Sequence, residues 1–219
     1  MGGATATAWD CSKSGCQFHN FYCTTITLTN MYEQLGHYFK SRTSIDKLTL
    51  EHIFSHFKFL NTKRNEMLLV EGEVCKHYYF VNKGCLRLFS INKDGVEGTR
   101  YFAFEGAFGT ALPSLIEQTP AFEFVQTIEK SELLAISRDS FFHLVDTVPQ
   151  FAFVYRQILE VSFISAQKRI YGFQGLDALE KVKWVMNYNP KLLARVSNKM
   201  AASFLGLTPA TLSRLKPKV

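Results

Sequence analysis

A few groupings in this 219-residue chain have residue types and spacings that chemistry uses. His52 and His56 stand four apart, the separation at which two imidazoles on one helix face share a metal ion. The sequence offers them no third ligand, so a solvated helix face is the expected reading and no metal site is assigned. Ser165-Ala166-Gln167-Lys168 has the Ser-x-x-Lys spacing of acylating enzymes, but the companion motifs are missing and coincidence explains it better. Cys11, Cys16 and Cys23 crowd the first 30 residues, while Cys75 and Cys85 fall in β-prone sequence. Five is odd, so a complete disulfide set within one chain is excluded, and reduced thiols in a cytosolic protein fit best. No nucleophile–base pair and no phosphate-cradling glycine loop is present. A metal-dependent β-barrel enzyme would need ligands between Arg64 and Ile136, where the one histidine is His77. The chain reads as a non-enzyme without a cofactor.

The strongest chemical signal is charge. The whole sequence has 25 Lys+Arg against 19 Asp+Glu, a formal +6, but from Lys181 to Val219 it has Lys181, Lys183, Lys191, Arg195, Lys199, Arg214, Lys216 and Lys218 and no acid. The rest of the chain is therefore slightly acidic. A cationic end on a near-neutral body suits a polyanion, because each neutralised phosphate releases condensed counterion, and on charge alone a solvated basic tail is the equal alternative.

Positioning such a segment requires a folded scaffold, and 47% hydrophobic residues with 20 Phe supply a core. No apolar run approaches the roughly 18 residues of a membrane span. Met1-Gly2-Gly3-Ala4-Thr5 lacks the basic and apolar regions of an export signal, so a soluble, cytoplasmic protein is expected. Residues 1–30, rich in Thr, Ser, Gly and Asn, read as a leader or disordered segment that need not be native, since Met31 opens ordinary sequence. From Met31 to Phe59, Leu35, Tyr38, Phe39, Leu48, Leu50, Ile53, Phe54 and Phe57 recur at helical spacing and predict two short helices.

Between Arg64 and Ile136 lie short β-prone runs, Met67–Val70, His77–Val81, Cys85–Ile91, Thr99–Phe104, Phe122–Ile128 and Glu132–Ile136. Turn glycines at Gly72, Gly84, Gly95 and Gly106 punctuate them, and the Asp94-Gly95 and Lys83-Gly84 pairs suit hairpins. An antiparallel sandwich, roll or barrel follows. A long helix is predicted from Pro149 to Tyr171, with a stripe at Phe151, Val154, Ile158, Val161 and Ser165 and a second apolar side at Phe153, Leu159, Phe163 and Ile170. A helix apolar on two sides packs on the β domain with one and on a two-fold-related copy with the other. Burial within a monomer is the alternative.

Gly172-Phe173-Gln174-Gly175 should break that helix as a hinge, and Asp177 with Glu180 forms a capping-box pattern for a helix that stops before Pro190. Ser197 can cap a helix from Asn198 to Leu205, Gly206 ends it, and Thr208 caps another with Pro209 at its first position. That is helix-turn-helix grammar inside the cationic segment.

The run Ala201-Ala202-Ser203-Phe204-Leu205-Gly206-Leu207-Thr208-Pro209-Ala210-Thr211-Leu212-Ser213-Arg214 resembles the helix-turn-helix of the Crp/Fnr regulators. Glu71-Gly72, Asn82-Lys83-Gly84, Asp94-Gly95 and Ser131–Ile136 resemble that family's cyclic-nucleotide-type β-roll, and the likeness spans about residues 31–219. The C-terminal motif is its most specific part. The resemblance implies an α+β architecture: an N-terminal antiparallel β-roll, double-stranded and jelly-roll-like, a long dimerisation helix, and a C-terminal winged helix-turn-helix. The expected divisions are a sensor roll at 31–147, the dimer helix at 148–172 and the DNA-binding domain at 173–219. It also implies a cytoplasmic homodimer that binds double-stranded DNA and regulates transcription, meeting RNA polymerase if it activates. The alternative is a ligand-binding or protein-interaction roll that has lost specific DNA binding.

In such a domain the second helix enters the major groove, so Thr208, Ala210, Thr211, Ser213 and Arg214 are the candidates to face bases, with Lys216 beside them. Ser197, Asn198 and Lys199 are better placed for phosphate. Pro209-Ala210 stands where the cyclic-AMP receptor pattern has Arg-Glu, so the operator does not carry over. Pro217 interrupts the final turn and shortens any wing. The expected ligand pocket, Phe108, Gly109, Thr110, Ala111, Ala121 and Phe122, is degenerate: the family's Gly-Glu pair for ribose and Arg-Ser pair for the cyclic phosphate are missing, and Glu123 would repel an anion. An effector other than a cyclic nucleotide, or none, is expected. The N-terminal cysteines are spaced more widely than in the family's iron–sulfur branch, so a cluster is not expected.

Overall fold

Turns with positive φ set the strand order. A computed structural model of the chain describes residues 31–218, apart from the side chains of Tyr188 and Lys218; the expected leader and Cys11, Cys16 and Cys23 lie outside the described residues. Helix α1 covers 31–40, and α2, Lys47–Ser55, opens on Asp46, whose carboxylate accepts from Thr49 N at 2.9 Å. The strands are β1 (Phe57–Thr62), β2 (Met67–Leu69), β3 (His77–Lys83), β4 (Leu86–Ile91), β5 (Glu97–Ala103), β6 (Phe108–Gly109), β7 (Phe124–Thr127) and β8 (Ser131–Ser137). Helix α3, Leu112–Glu117, lies between β6 and β7. All pairings are antiparallel and build two four-stranded sheets, β1-β8-β3-β6 and β2-β7-β4-β5. Gly84, at φ +98°, passes the chain from one sheet to the other; a Cβ there would stand 2.2 Å from Ser131 Oγ, so no other residue fits. Gly95, at φ +76°, closes the β4–β5 hairpin, where the Asn92 amide oxygen accepts from Asp94 N and Val96 N at 3.0 and 2.8 Å.

The chain divides into two compact units, Met1–Glu33 and Gln34–Val219, and of the first only the helical residues 31–33 are described. In the second, β3, β4 and β8 carry runs of consecutive buried residues, because both faces of the sheets are covered. Helix α4, Arg138–Thr147, supplies part of that cover, with Phe141 stacked on Tyr78 of β3 at 4.7 Å between centroids, and α5, Pro149–Gly175, packs on the helices, with Phe151 stacked on Phe39 of α1 at 5.5 Å.

Several local expectations change. Phe57 extends the helical spacing of α2 but stands in β1, where Phe57–Thr62 pairs with β8. Glycines do not break α5 at Gly172; the helix continues to Gly175, since Phe173 packs edge-on to Trp184 and Phe204, and it ends with Leu176 N bonded to Gly172 O. No helix among the described residues is long and apolar enough to cross a membrane.

The C-terminal helices follow their caps. Asp177 and Glu180 form a reciprocal capping box for α6, Ala178–Tyr188, and a short α7, Leu192–Arg195, follows. Ser197 caps α8, Asn198–Leu205; Gly206 adopts φ +66°; Thr208 caps α9, Pro209–Leu215. Val182, Val185, Leu192, Val196, Ala201, Ala202, Phe204, Leu205 and Leu212 form their core, and Cys85, Phe102 and Ile128 of the roll belong to the same cluster. Beyond α9 the described residues form one 3-10 turn, Lys216–Lys218, and no strand, so the implied wing is not built within them.

Candidate functional site

Helices α8 and α9 are short, so single side chains fix their geometry. Ser197 is spent on its cap, accepting from Met200 N at 3.2 Å. Asn198 spans the turn, its amide donating to Pro209 O at 2.9 Å and to Ser213 Oγ at 2.8 Å, so it locks the two helices together. Thr208 accepts from Thr211 N at 3.1 Å and shares a hydrogen bond of 2.9 Å with the Thr211 hydroxyl. With Leu212 buried, α9 turns Pro209, Ala210, Ser213 and Arg214 outward. Lys216 reaches back to Leu193 O at 3.2 Å. Arg214 is thus an exposed guanidinium at the end of an exposed face whose other members are small and uncharged.

Lys199 meets Glu97 of β5 at 2.6 Å, and Glu97 also binds Arg87 of β4 at 2.6 Å. Arg87 is only 2% exposed; it donates to Thr99 Oγ1 at 2.9 Å and to Ser203 Oγ of α8 at 3.2 Å. A second junction centres on Arg195, which holds Glu105 by two hydrogen bonds of 2.6 and 2.8 Å, pairs with Glu129, and donates to Gly84 O. Burial alone would raise the Glu105 carboxyl, but the hydrogen bonds from Arg195 and the Gly84 N–H outweigh it and bring the pKa down to about 2. Arg169 of α5 completes the contact, donating to Thr99 O at 2.8 Å and Phe204 O at 3.0 Å. Sequence reasoning missed this network. An arginine within the apolar β4 was the one available signal, because a buried guanidinium needs a partner.

At the expected pocket, Phe108, Gly109, Thr110, Ala111 and Ala121 are buried while Phe122 is 59% exposed. The Thr110 hydroxyl donates to His77 O at 2.8 Å, so it is already used within the roll. Glu123 is not a bare charge: its carboxylate, 3% exposed, receives two hydrogen bonds of 2.9 Å from Arg100. An open cleft of about 500 Å³ lies beside α5, lined by Tyr38, Arg42, Tyr101, Phe108, Gln157 and Ile158 among others. Of the expected pocket residues, Phe108 lines it.

On α5, Phe151 and Val154 are buried, Phe151 between Phe39 of α1 and Phe141 of α4, Ile158 and Ser165 are half-buried, and Val161 is 64% exposed. Phe163, Ile164, Ile170 and Tyr171 are exposed along the same half of the helix. His52 and His56 are joined by His143 of α4, with ring centroids 5.1 and 5.9 Å apart in sequence along the stack. Burial, then the neighbouring His52 and His143, lower the His56 pKa. Among the described residues no His, Cys, Asp and Glu group of three or more is arranged to hold a metal ion. Cys75 and Cys85 are buried free thiols, and burial pushes the Cys85 pKa up, the opposite of activation.

Residues 59–148 match the cyclic nucleotide-binding domain family. No curated protein sequence matches the chain significantly. Among solved structures, CLP, the c-di-GMP responsive global regulator of Xanthomonas campestris, superposes with a TM-score of 0.66 at 18% identity, over 79% of this chain and 91% of that one. FixK2 from Bradyrhizobium japonicum gives a TM-score of 0.66 at 18% identity, over 74% and 83%. The catabolite activator protein of Thermus thermophilus gives 0.51 at 20% identity, over 80% and 84%. The class is a cyclic-nucleotide-binding-type β-roll joined by a long helix to a helix-turn-helix. Its fold resembles those of CLP, FixK2 and a protein of the crp/fnr family from Eubacterium rectale, and the match to the cyclic nucleotide-binding domain family falls at residues 59–148 within it.

Proposed function

We propose that the chain is a homodimeric, sequence-specific DNA-binding transcription regulator of the Crp/Fnr type, acting in the cytoplasm, whose effector is not a cyclic nucleotide. The observation that carries this reading is the outward face of α9, Pro209, Ala210, Ser213 and Arg214, set in a segment with eight basic and no acidic residues. A short helix with small residues at its N-terminal end can approach base edges closely, and Arg214 is its one long hydrogen-bonding side chain. The exposed apolar half of α5 supports a two-fold dimer. A Thr110 hydroxyl whose proton goes to His77 O, in place of a carboxylate, and an Arg100 paired with Glu123 support an effector other than a cyclic nucleotide.

The test is selection from random double-stranded DNA by the purified full-length chain, followed by binding across a salt series. An approximately two-fold site with half-sites about 34 Å apart is expected. Arg214→Ala should weaken each half-site by about ten- to a hundredfold, the cost of one lost bidentate base contact, so that the two-fold site loses about the square of that factor, with the loss confined to one base pair per half-site. Added cyclic AMP should leave the enrichment unchanged. No binding to any duplex at low salt overturns the reading in favour of a ligand or interaction module.

A further inference from the structure

In each ion pair that joins α7 and α8 to the roll, the helices give the cation and the roll gives the carboxylate: Arg195 with Glu105 and Glu129, Lys199 with Glu97. Carboxylate and phosphate oxygens compete for the same ammonium donors. Lys199 is the second residue of α8 and follows Asn198, which is bonded to Pro209 and Ser213 of α9, so it stands one residue from the proposed DNA face while its ammonium group rests on Glu97 of β5. The Lys199 side chain is 70% exposed, while Glu97 is 20% exposed and Arg87, which holds it, 2%. The acceptor is fixed and the donor is free to swing.

We propose that Glu97 is a built-in competitor of DNA: the roll's carboxylate occupies Lys199 in place of a backbone phosphate, and a duplex must displace it. This rests on the DNA-binding reading above. Arg87 is the positioning residue, because it fixes Glu97 from below and touches Ser203 of α8 at the same time. Arg195 with Glu105 and Glu129 keeps α7 and α8 against the roll, so Glu97 remains within reach. Arg87 and Glu97 both lie on the β4–β5 hairpin, Leu86–Ala103. A movement of that hairpin therefore changes the number of cations available to DNA, which gives the sensor a direct electrostatic hold on affinity without altering the recognition helix.

The experiment measures binding of the full-length chain to a random-sequence duplex by fluorescence anisotropy, for wild type, Glu97→Gln, Lys199→Gln and the double variant. Glu97→Gln should tighten binding about three- to fivefold, in line with a partly exposed ion pair. Lys199→Gln should erase that gain, leaving the double variant equal to the single Lys199→Gln. Amide hydrogen exchange of β5 and α8 in the absence of DNA serves as the control on docking, and should be nearly the same in all four proteins. An unchanged or weaker Glu97→Gln, or a gain that survives loss of Lys199, overturns the competitor while leaving the DNA-binding reading intact. Failure of all four proteins to bind at low salt, with normal hydrogen exchange, overturns the DNA-binding reading and the competitor with it.

Discussion

Single hydrogen bonds decide whether the two helices of the helix-turn-helix exist, since eight and seven residues are too few for an autonomous helix. Thr208 satisfies an otherwise unpaired N–H of Thr211, so Thr208→Ala should destabilise the protein by about 1 kcal/mol, read from urea denaturation. Thr208→Asp, which keeps the acceptor, should retain most of that stability but place a negative charge at the proposed DNA face. These caps were legible in sequence, as were Ser197 and the Asp177–Glu180 pair, because a cap and its helix are adjacent in the chain. The roles of Asn198 and Lys199 were not. Their partners stand 11, 15 and 102 residues away, and spacing carries no information about such contacts.

At the scale of elements, helix α5 reads in sequence as apolar on two sides, whereas in the structure its burial divides along its length. Its first two turns bury Phe151 and Val154, while its later half exposes Val161, Phe163, Ile164, Ile170 and Tyr171. A helix so exposed calls for a partner surface. Phe163→Asp, at a side chain that is 65% exposed and supports nothing within the protomer core, should yield a folded monomer by light scattering. Affinity for the two-fold site should then fall much more than affinity for an isolated half-site. Strand β1 and helices α3 and α4 were harder to see. Phe57 continues the spacing of α2 without a Gly or Pro before it, and the β1 register is settled by its partner β8, about seventy to eighty residues on, Phe57 facing Ile136.

For the whole molecule, the junction between roll and helices sets a dependence on pH. Glu105 has a folded pKa of about 2 against an ordinary 4.5, a depressed carboxylate. Its contribution is therefore complete above about pH 4.5 and is lost as pH falls from about 4.5 towards about 2. Thermal melts across that window should show the midpoint of the wild type falling, and Glu105→Gln should be less stable at neutral pH yet lose less across the same window. An equal slope for both proteins would remove Glu105 from the acid response.

The apolar cluster that runs from Cys85, Phe102 and Ile128 into the C-terminal helices also limits how this architecture can be rearranged. A roll severed at Leu176 would present Phe102 to water, and the released helices would present Phe204; each fragment would carry the other's binding surface as a sticky scar. Recombination with another helix-turn-helix must therefore bring along a matching aromatic face, so a viable crossover within this chain falls before the roll or after the last helix rather than at the visible joint.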